Sequence, residues 1–287
     1  MTCLPIDAVL PELLQALTHA DQAVLEAPPG AGKTTRVPLA LLNAPWLADQ
    51  RIIMLEPRRL AARGAAERLA KSLGEPVGQT VGYRMRLDSK VGPNTRIEVV
   101  TEGILLRRLQ EDPALEGVGV VIFDEYHERS LDADVSLALT LSGREMLRED
   151  IPLKVLLMSA TLDGARLSAL LNNAPVISSA GRMFEVAMRW SAPVSAAEPI
   201  HVLLERTEQA VLHALRHETG SVLVFLPGQA EIRRLAQSLE LALAGQSEIK
   251  ICPLYGDLDF AAQRAAIEPA PAGTRKVVLA TILPKPA

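Results

Sequence analysis

A glycine-bearing segment between residues 27 and 35 constrains this chain more than any other stretch. Its residues are, in order, Ala27, Pro28, Pro29, Gly30, Ala31, Gly32, Lys33, Thr34 and Thr35. An apolar run, Ala23 to Leu25, precedes it, and a helix-like run, Val37 to Leu42, follows it. The glycines allow the backbone to turn tightly and approach a phosphate chain, while the N-terminus of the following helix attracts anions. The order of strand, loop and helix therefore predicts a phosphate-binding loop.

Two side chains of this loop have a predicted chemical role. The amino group of Lys33 can reach terminal phosphates, and the hydroxyl of Thr34 suits a magnesium ion. The usual pattern of such loops begins with glycine, whereas this segment begins with Ala27. The alternative is an ordinary strand-to-helix turn whose lysine is solvated. We expect a nucleotide with Mg²⁺ to bind to the whole segment.

Charge and aromatic content restrict the ligands that the chain could bind. The formal net charge is −4, and aromatic residues make up 3% of the sequence. A nucleic acid would therefore bind at local basic patches, with little help from base stacking.

Cys3 and Cys252 lie far apart and form no disulfide framework, and no N-terminal leader pattern is visible. No apolar run reaches the roughly 20 residues that span a bilayer. We expect a monomeric, cytoplasmic protein without a membrane segment.

Predicted strands and helices alternate along the whole chain. The 287 residues, of which 48% are hydrophobic, are enough for one large domain or two of ordinary size. Several predicted strands are apolar on both faces, which is typical of a parallel sheet covered by helices on both sides. A stretch containing proline and alanine, Ala192 to Pro199, reads as a linker, and the alternation restarts after it. We therefore predict an α/β fold with two parallel-sheet domains, residues 1–191 and 192–287.

Individual elements are predicted from the spacing of apolar residues. Leu4 to Leu17 has helical spacing and is expected to form one short helix. In the strand Ser221 to Leu226, we expect Phe225 and Leu226 to lie in the core. The final strand, Lys276 to Ala280, is expected to have an open edge, which would make the second domain the less stable one.

A polar cluster, Asp124-Glu125-Tyr126-His127, follows directly after the apolar run Val118 to Phe123. Open α/β sheets bind ligands at the carboxyl ends of their strands. In a chain with a phosphate-binding loop, Asp124 could hold Mg²⁺ through water, opposite Thr34, and Glu125 could orient or deprotonate an attacking water. The alternative is a charged loop that merely ends a strand, with His127 as a solvated loop histidine.

Seven short motifs occur along the chain in a characteristic order. They are Ala27 to Thr34 (A-x-x-G-x-G-K-T), Pro57 to Ala62 (P-R-R-x-A-A), Thr101 to Gly103 (T-[DE]-G), Asp124 to His127 (D-E-x-H), Ser159 to Thr161 (S-A-T), Phe225 to Ile232 (F-L-P-G-x-x-E-I), and Leu254 to Leu258 with Gln263 (L-H-G-x-L…Q). In this order they resemble the DEAH-box helicases of superfamily 2, and the resemblance extends through nearly the whole chain. It explains the alanine at position 27. Tyr126 stands where many members have Ala or Phe.

The resemblance implies a fold, an activity and cofactors. It implies two RecA-like domains of the P-loop NTPase type that use ATP and Mg²⁺ to move along nucleic acid. The implied substrate is single-stranded RNA or an RNA duplex with an overhang. Catalysis would involve Lys33, Glu125 and His127, while Thr34 and Asp124 would hold the metal ion.

The resemblance also assigns residues to RNA binding and to coupling. Arg58, Arg59 and Thr101 would contact the RNA backbone, and Ser159 and Thr161 would couple the D-E-x-H loop to RNA-driven movement. Two adjacent guanidinium groups at a strand end also form a phosphate-sized patch on physical grounds. The alternatives are a solvated charge pair at a helix start for the arginines, and ordinary turn residues for Ser159 and Thr161.

The sequence departs from the family pattern after the last predicted strand. The family continues from a strand such as Val277 to Thr281 into N-x-A-E-T-S, where this chain has Ile282 to Ala287, and the later Q-R-x-G-R-x-G-R motif is absent from the sequence. We therefore expect the second domain to be incomplete. The predicted function is that of an ATP-dependent RNA helicase of the DEAH-box type, impaired in this chain. The alternative is a non-catalytic remnant that binds nucleotide or RNA.

Overall fold

The structure, a computed structural model, describes residues 3–148, 152–161, 163–181, 185–193 and 198–281. The chain divides into two compact units, Met1–Val186 and Ala187–Ala287. The boundary expected from the sequence, between residues 191 and 192, lies close to this division and stays a prediction. Part of the linker expected at Ala192 to Pro199, residues 194–197, lies outside the described residues.

The first unit is built on one eight-stranded sheet. Its strands are β1 (Gln22–Glu26), β2 (Arg51–Leu55), β3 (Val81–Met85), β4 (Asp88–Lys90), β5 (Ile97–Val100), β6 (Val118–Phe123), β7 (Lys154–Ser159) and β8 (Val176–Ser178). The strand order is β4-β3-β5-β2-β6-β7-β1-β8. All neighbouring strands are parallel except the β3–β4 pair, which is antiparallel. The short strands β4 and β8 were not predicted from the sequence.

Helices cover both faces of this sheet. They are α1 (Leu10–His19), α2 (Lys33–Leu42), α3 (Arg59–Ser72), α4 (Glu102–Glu111), α5 (Leu131–Leu147) and α6 (Gly164–Leu170), with short 3₁₀ turns at Pro5–Ala8, Pro45–Leu47 and Tyr126–Glu128. In β2, Ile52 and Met54 belong to one apolar core, and Ile53 and Leu55 belong to the core on the opposite face. Because successive side chains of a strand point to opposite faces, a strand buried on both must be apolar throughout. The predicted α/β fold with a parallel sheet is confirmed.

The prediction of one helix from Leu4 to Leu17 was wrong in its extent. The segment forms a 3₁₀ turn, Pro5–Ala8, followed by α1 from Leu10. Pro11 stands in the first turn of α1, where a missing N–H group costs no helical hydrogen bond. A helix continuing through Pro11 from Leu4 would have lost that bond, so the chain begins a new helix there.

The second unit has a smaller, three-stranded parallel sheet. It contains α7 (Ile200–His217), β9 (Val222–Leu226), α8 (Gln229–Ala242), β10 (Ile249–Leu254), α9 (Phe260–Ile267) and β11 (Arg275–Thr281). The strand order is β10-β11-β9, so β11 is the central strand of the sheet. The expectation of an open edge at the last strand was therefore wrong, because both of its edges are paired.

The two residues expected in the core of β9 have different environments. Leu226 is buried, with 4% of its surface exposed, whereas Phe225 is 62% exposed. Neighbouring residues of a strand face opposite sides of the sheet, and the described residues leave most of the Phe225 side chain exposed on its side. The prediction was correct for Leu226 and wrong for Phe225. Across the described parts of both units, no helix combines the length and the apolar character required to cross a bilayer.

A glycine within α5 gives a test of the packing in the first unit. A Cβ atom added at Gly143 would overlap the backbone carbonyl oxygen of Pro113, whereas one added at Gly64 in α3 would lie 3.7 Å from the flexible end of Arg68. Alanine is favoured over glycine inside a helix by about 0.5–1 kcal/mol. We expect Gly64→Ala to stabilise the first unit by that amount and Gly143→Ala to destabilise it by about 1–3 kcal/mol, because the backbone must shift.

Urea denaturation followed by circular dichroism would measure both variants against the wild type. Because the two substitutions are chemically identical and both lie within helices, Gly64→Ala is the matched control. A stabilising effect of Gly143→Ala would contradict the close packing of α5 against the segment at Pro113.

Candidate functional site

The predicted phosphate-binding loop joins the end of β1 to the start of α2. Gly32 is the N-cap residue of α2 and has φ = 98°, and Gly30 has φ = 80°. This left-handed region favours glycine. A Cβ atom at Gly32 would also lie 2.6 Å from the Cδ1 atom of Leu4, so both backbone conformation and space require glycine there. The loop is thus shaped as the sequence predicts.

The loop is held in place by the residues on either side of it. The N–H group of Ala27 donates to the carbonyl oxygen of Ser159 at 3.0 Å, and that of Ile6 donates to the carbonyl oxygen of Ala31 at 3.1 Å. The side chains of Ala27 and Ala31 are buried in the core. A small apolar residue at position 27 therefore packs where the general loop pattern has glycine.

The loop directly contacts the polar cluster that follows β6. The hydroxyl of Thr34 donates to Oδ2 of Asp124 at 2.6 Å, and Nζ of Lys33 lies 2.8 Å from Oε1 of Glu125. Lys33 and Asp124 are both buried. The structure therefore brings together, from segments 90 residues apart, the side chains that the sequence assigns to nucleotide, metal and catalysis.

The backbone after β6 directs these carboxylates. The N–H group of Asp124 donates to the carbonyl oxygen of Leu55 in β2 at 3.0 Å, and Oδ1 of Asp124 accepts the N–H of Glu125 at 2.8 Å. Glu125 has φ = 49°, a left-handed conformation that is uncommon for a residue with a side chain. Such strain is found preferentially at functional sites. Here it turns the chain sharply after the strand, and Glu125 faces Lys33.

His127 lies between Glu125 and the S-A-T motif. Its Nδ1 atom is 3.3 Å from the N–H group of Ala160 and 3.4 Å from Oε2 of Glu125. One ring nitrogen cannot accept from the first and donate to the second at the same time. We assign the acceptor role to Nδ1, because the Ala160 N–H can only donate and Glu125 already pairs with Lys33. His127 thus connects the D-E-x-H turn to β7 rather than being a solvated loop residue.

Ser159 and Thr161 form a compact hydroxyl pair after β7. Their oxygens are 3.1 Å apart, and Oγ of Ser159 accepts the N–H of Thr161 at 3.2 Å. The hydroxyl of Thr161 also donates to Oδ2 of Asp163 at 3.3 Å. The carbonyl of Ser159 holds Ala27, as described above. The pair therefore flanks Ala160, which contacts His127, and Ser159 also holds the loop at Ala27.

The residues assigned to RNA lie at the same edge of the sheet. Arg58 is the N-cap residue of α3, which follows β2, and Thr101 is the N-cap residue of α4, which follows β5. Arg59 donates through Nη2 to the carbonyl oxygen of Arg86 at 3.2 Å. The N–H of Thr101 donates to the carbonyl oxygen of Arg84 at 3.4 Å. Because β2 and β5 are adjacent and parallel, the three residues follow neighbouring strands at this edge.

Sequence analysis missed a third carboxyl group at the site. Glu56 follows β2 directly, is 3% exposed, and lies near enough to Asp124 and Glu125 for their negative charges to act on its carboxyl group. Burial raises the pKa of Glu56 well above its usual value, and the negative charges of Asp124 and Glu125 raise it further. The available signal was an acidic residue ending an apolar strand, the same pattern that identified Asp124.

Burial also raises the pKa of Asp124, and the negative charge of Glu125 adds to this effect. The hydrogen bond from Thr34 and the positive charge of Lys33 act in the opposite direction. The site is therefore rich in negative charge that the protein's own cation balances only in part. Such an arrangement favours the binding of a further cation.

Sequence analysis also missed Glu26, which fixes the strand before the phosphate-binding loop. Glu26, the last residue of β1, is 8% exposed, and its carboxylate accepts hydrogen bonds from the N–H of Gly164 and, at 2.9 Å, from the hydroxyl of Ser178. These partners belong to α6 and β8. Glu26 therefore anchors the strand that leads into the phosphate-binding loop to the two elements beside it.

Comparisons with known proteins agree with this arrangement. The family described as DEAD/DEAH box helicase matches residues 7–170, which is more than half of the 287 residues. The chain is 54% identical over 285 residues to the ATP-dependent RNA helicase HrpB of Escherichia coli and 36% identical over 304 residues to the human ATP-dependent RNA helicase DHX30. These alignments cover 98% and 97% of the chain.

Solved structures give the same result. A crystal structure described as the Escherichia coli DEAH/RHA helicase HrpB matches 97% of the chain with a TM-score of 0.85 and 54% identity. A second, described as the Escherichia coli DExH-box NTPase HrpB, matches 98% of the chain with a TM-score of 0.77. The chain spans 34% of the length of each HrpB chain and 25% of the length of DHX30. The family match and the site geometry lead to one conclusion: this chain belongs to the DEAD/DEAH box helicase family.

Proposed function

We propose that this chain carries the nucleotide-binding machinery of an ATP-dependent RNA helicase of the DEAH-box type. The observation that carries the proposal is the pair of contacts between the phosphate-binding loop and the D-E-x-H turn, Lys33 to Glu125 and Thr34 to Asp124. In the first pair, Lys33 is suited to bind phosphate and Glu125 to activate water. In the second pair, Thr34 and Asp124 are both suited to hold a metal ion. The relatives' names, ATP-dependent RNA helicase, agree with this chemistry.

The residues present fit a nucleotide with Mg²⁺. Mg²⁺ prefers hard oxygen ligands and is usually held by one or two protein oxygens together with substrate phosphates and waters. Thr34 and Asp124 supply two such oxygens 2.6 Å apart. Among the residues that the structure describes, no group of three or more His, Cys, Asp or Glu side chains could hold a metal on its own. A site completed by phosphate oxygens is consistent with that finding.

The side chains around the site have distinct tasks in this proposal. ATP with Mg²⁺ supplies the γ-phosphoryl group and a strong positive charge beside it. Lys33 would exchange its ion pair with Glu125 for a contact to the terminal phosphates, and the Gly30–Gly32 backbone would hold the phosphate chain. The released carboxylate of Glu125 would orient the attacking water and accept its proton. His127 holds the turn that carries Glu125 through its contact with Ala160.

The proposed RNA site is the cluster of Arg58, Arg59 and Thr101. Guanidinium groups bind phosphate in a bidentate manner, and backbone contacts of this kind position nucleic acid without reading its sequence. Ser159 and Thr161 would couple RNA binding to the D-E-x-H turn, because Ser159 holds Ala27 and the two residues flank Ala160, which contacts His127. The proposed substrate is single-stranded RNA or a duplex with an overhang.

We also propose that the protein acts as a monomer in the cytoplasm. Cys3 and Cys252 are both free thiols, which suits a reducing compartment. Gel filtration with light scattering would test the monomeric state.

ATP hydrolysis distinguishes an active helicase core from a protein that only binds nucleotide or RNA. Phosphate release measured with and without RNA distinguishes the two. RNA-stimulated release that Glu125→Gln abolishes would support the enzyme. Binding of Mg-ATP without release would support the second function, a non-catalytic nucleotide- and RNA-binding protein.

Lys33→Ala should weaken the binding of Mg-ATP by about 10- to 100-fold, because hydrogen bonds to charged groups contribute about 1.5–3 kcal/mol each. Isothermal titration calorimetry would measure the affinity, and circular dichroism would verify the fold. Lys71→Ala removes an exposed lysine near the end of α3 and is the matched control. Equal affinities of Lys33→Ala and Lys71→Ala would refute the proposed phosphate site.

The double variant Arg58→Ala/Arg59→Ala should bind single-stranded RNA more weakly and with a smaller dependence on salt. Each lost phosphate contact should reduce the slope of log affinity against log salt by about 0.7. Titrations of a fluorescent oligouridine at several salt concentrations would measure this slope. Arg68→Ala/Lys71→Ala removes two charges from the other end of α3 and should leave the slope unchanged. The same slope in both double variants would mean that the RNA patch lies elsewhere.

Glu56→Gln should stabilise the protein in a pH-dependent manner. The folded-state pKa of Glu56 is raised, so ionisation is less favourable in the folded than in the unfolded state. Ionisation of Glu56 therefore lowers the free energy of unfolding of the wild type. This loss is absent below the unfolded-state pKa of about 4.3, grows as the pH rises, and is complete above the folded-state pKa. We expect a higher free energy of unfolding than the wild type at pH 8, and a difference that shrinks towards pH 5.

Urea denaturation at a series of pH values would measure the effect of Glu56→Gln. Glu111→Gln, which removes an exposed carboxylate from α4, controls for the general loss of a negative charge. A Glu56→Gln protein that is less stable than the wild type at pH 8 would contradict the assignment of Glu56 as a buried acid with a raised pKa.

A further inference from the structure

The guanidinium group of Arg58 is already occupied by a carboxylate. Its Nη2 atom lies 3.0 Å from Oε1 of Glu128, and its Nε atom lies 3.4 Å from Oε2 of the same residue. This is the two-pronged geometry in which arginine binds either a carboxylate or a phosphate. Glu128 therefore takes the position in which a phosphate of RNA would meet the same two nitrogen atoms.

The pair lies at the surface, where a phosphate could reach it. The side chain of Arg58 is 49% exposed and that of Glu128 is 26% exposed. An exposed ion pair of this type contributes little to stability, because water and salt screen the attraction. A multiply charged ligand is thus able to displace Glu128 at low cost.

The backbone of Glu128 is held firmly. Glu128 ends the 3₁₀ turn Tyr126–Glu128, and its N–H group donates to the carbonyl oxygen of Glu125 at 2.9 Å. Arg58 is equally fixed, as the N-cap residue of α3. Because both backbones are anchored, the two side chains meet at a small cost in conformational entropy.

We propose that Glu128 is a positioning residue that competes with RNA for Arg58. Without RNA, its carboxylate orients the guanidinium group and covers it; when RNA binds, a backbone phosphate takes its place. The exchange replaces one charge-assisted, two-pronged contact of Arg58 with another. This inference rests on the proposed contact of Arg58 with RNA.

The proposal makes Glu128 a negative determinant of RNA affinity. Glu128→Gln keeps the size of the side chain but removes the charge that competes for Arg58. We expect it to bind a single-stranded oligouridine about two- to fivefold more tightly than the wild type at low salt, in line with the small contribution of an exposed ion pair. Arg58→Ala should bind the same oligomer more weakly.

A double-mutant cycle distinguishes competition from a general charge effect. Fluorescence anisotropy would measure the affinity of the oligouridine for the wild type, Glu128→Gln, Arg58→Ala and the double variant. The gain from Glu128→Gln should disappear in the Arg58→Ala background. Glu111→Gln is the matched control, since Glu111 forms an exposed ion pair with Arg107 at 2.8 Å, and it should change the affinity less than Glu128→Gln.

The outcomes separate this inference from the proposed RNA site. If Arg58→Ala binds like the wild type, the RNA contact of Arg58 is wrong, and the inference is overturned with it. If Arg58→Ala binds more weakly but Glu128→Gln gives no gain, only the competition is overturned. The same holds if the gain persists without Arg58 or if Glu111→Gln reproduces it, because the effect would then be one of overall charge.

Discussion

Parallel pairing of five strands in the first unit places every candidate functional side chain. Leu55 of β2 pairs in register with Val100 of β5 and Phe123 of β6, and Glu26 of β1 pairs with Ser159 of β7. The residues that follow these positions therefore come together at one edge of the sheet. Parallel strands can only be joined by crossover connections, so segments far apart in sequence meet there.

The chemistry at this edge arises from incomplete charge compensation. Three buried or partly buried carboxyl groups, those of Glu56, Asp124 and Glu125, share one buried cation, Lys33. Burial makes each unpaired negative charge costly. The arrangement persists because the surrounding sheet determines it, and the metal ion of the proposed nucleotide ligand would reduce this cost. The proposed affinity for a metal ion and the cost of burying these carboxyl groups would then have the same physical origin.

Two cations of the site already have carboxylate partners. Lys33 pairs with Glu125, Arg58 with Glu128, and both acidic residues belong to the turn that follows β6. Binding of phosphate at either place must therefore displace a carboxylate of the same turn. This gives the two proposed ligands, nucleotide and RNA, a common structural element, with His127 connecting it to Ala160.

The sequence by itself determined the family, through seven motifs along the chain, and the α/β class, through strands that are apolar throughout. It also located the glycine-bearing loop and the acidic turn, because each is local: glycines required by a left-handed φ, and a polar residue at the end of an apolar strand. Only the tertiary structure decided the partners. The proximity of Glu56 to Asp124, the contact of Glu128 with Arg58, the exposure of Phe225, and the central place of β11 depend on strand order and on which face is covered. Strand order is set by packing between segments that are distant in sequence, so a local sequence pattern does not predict it.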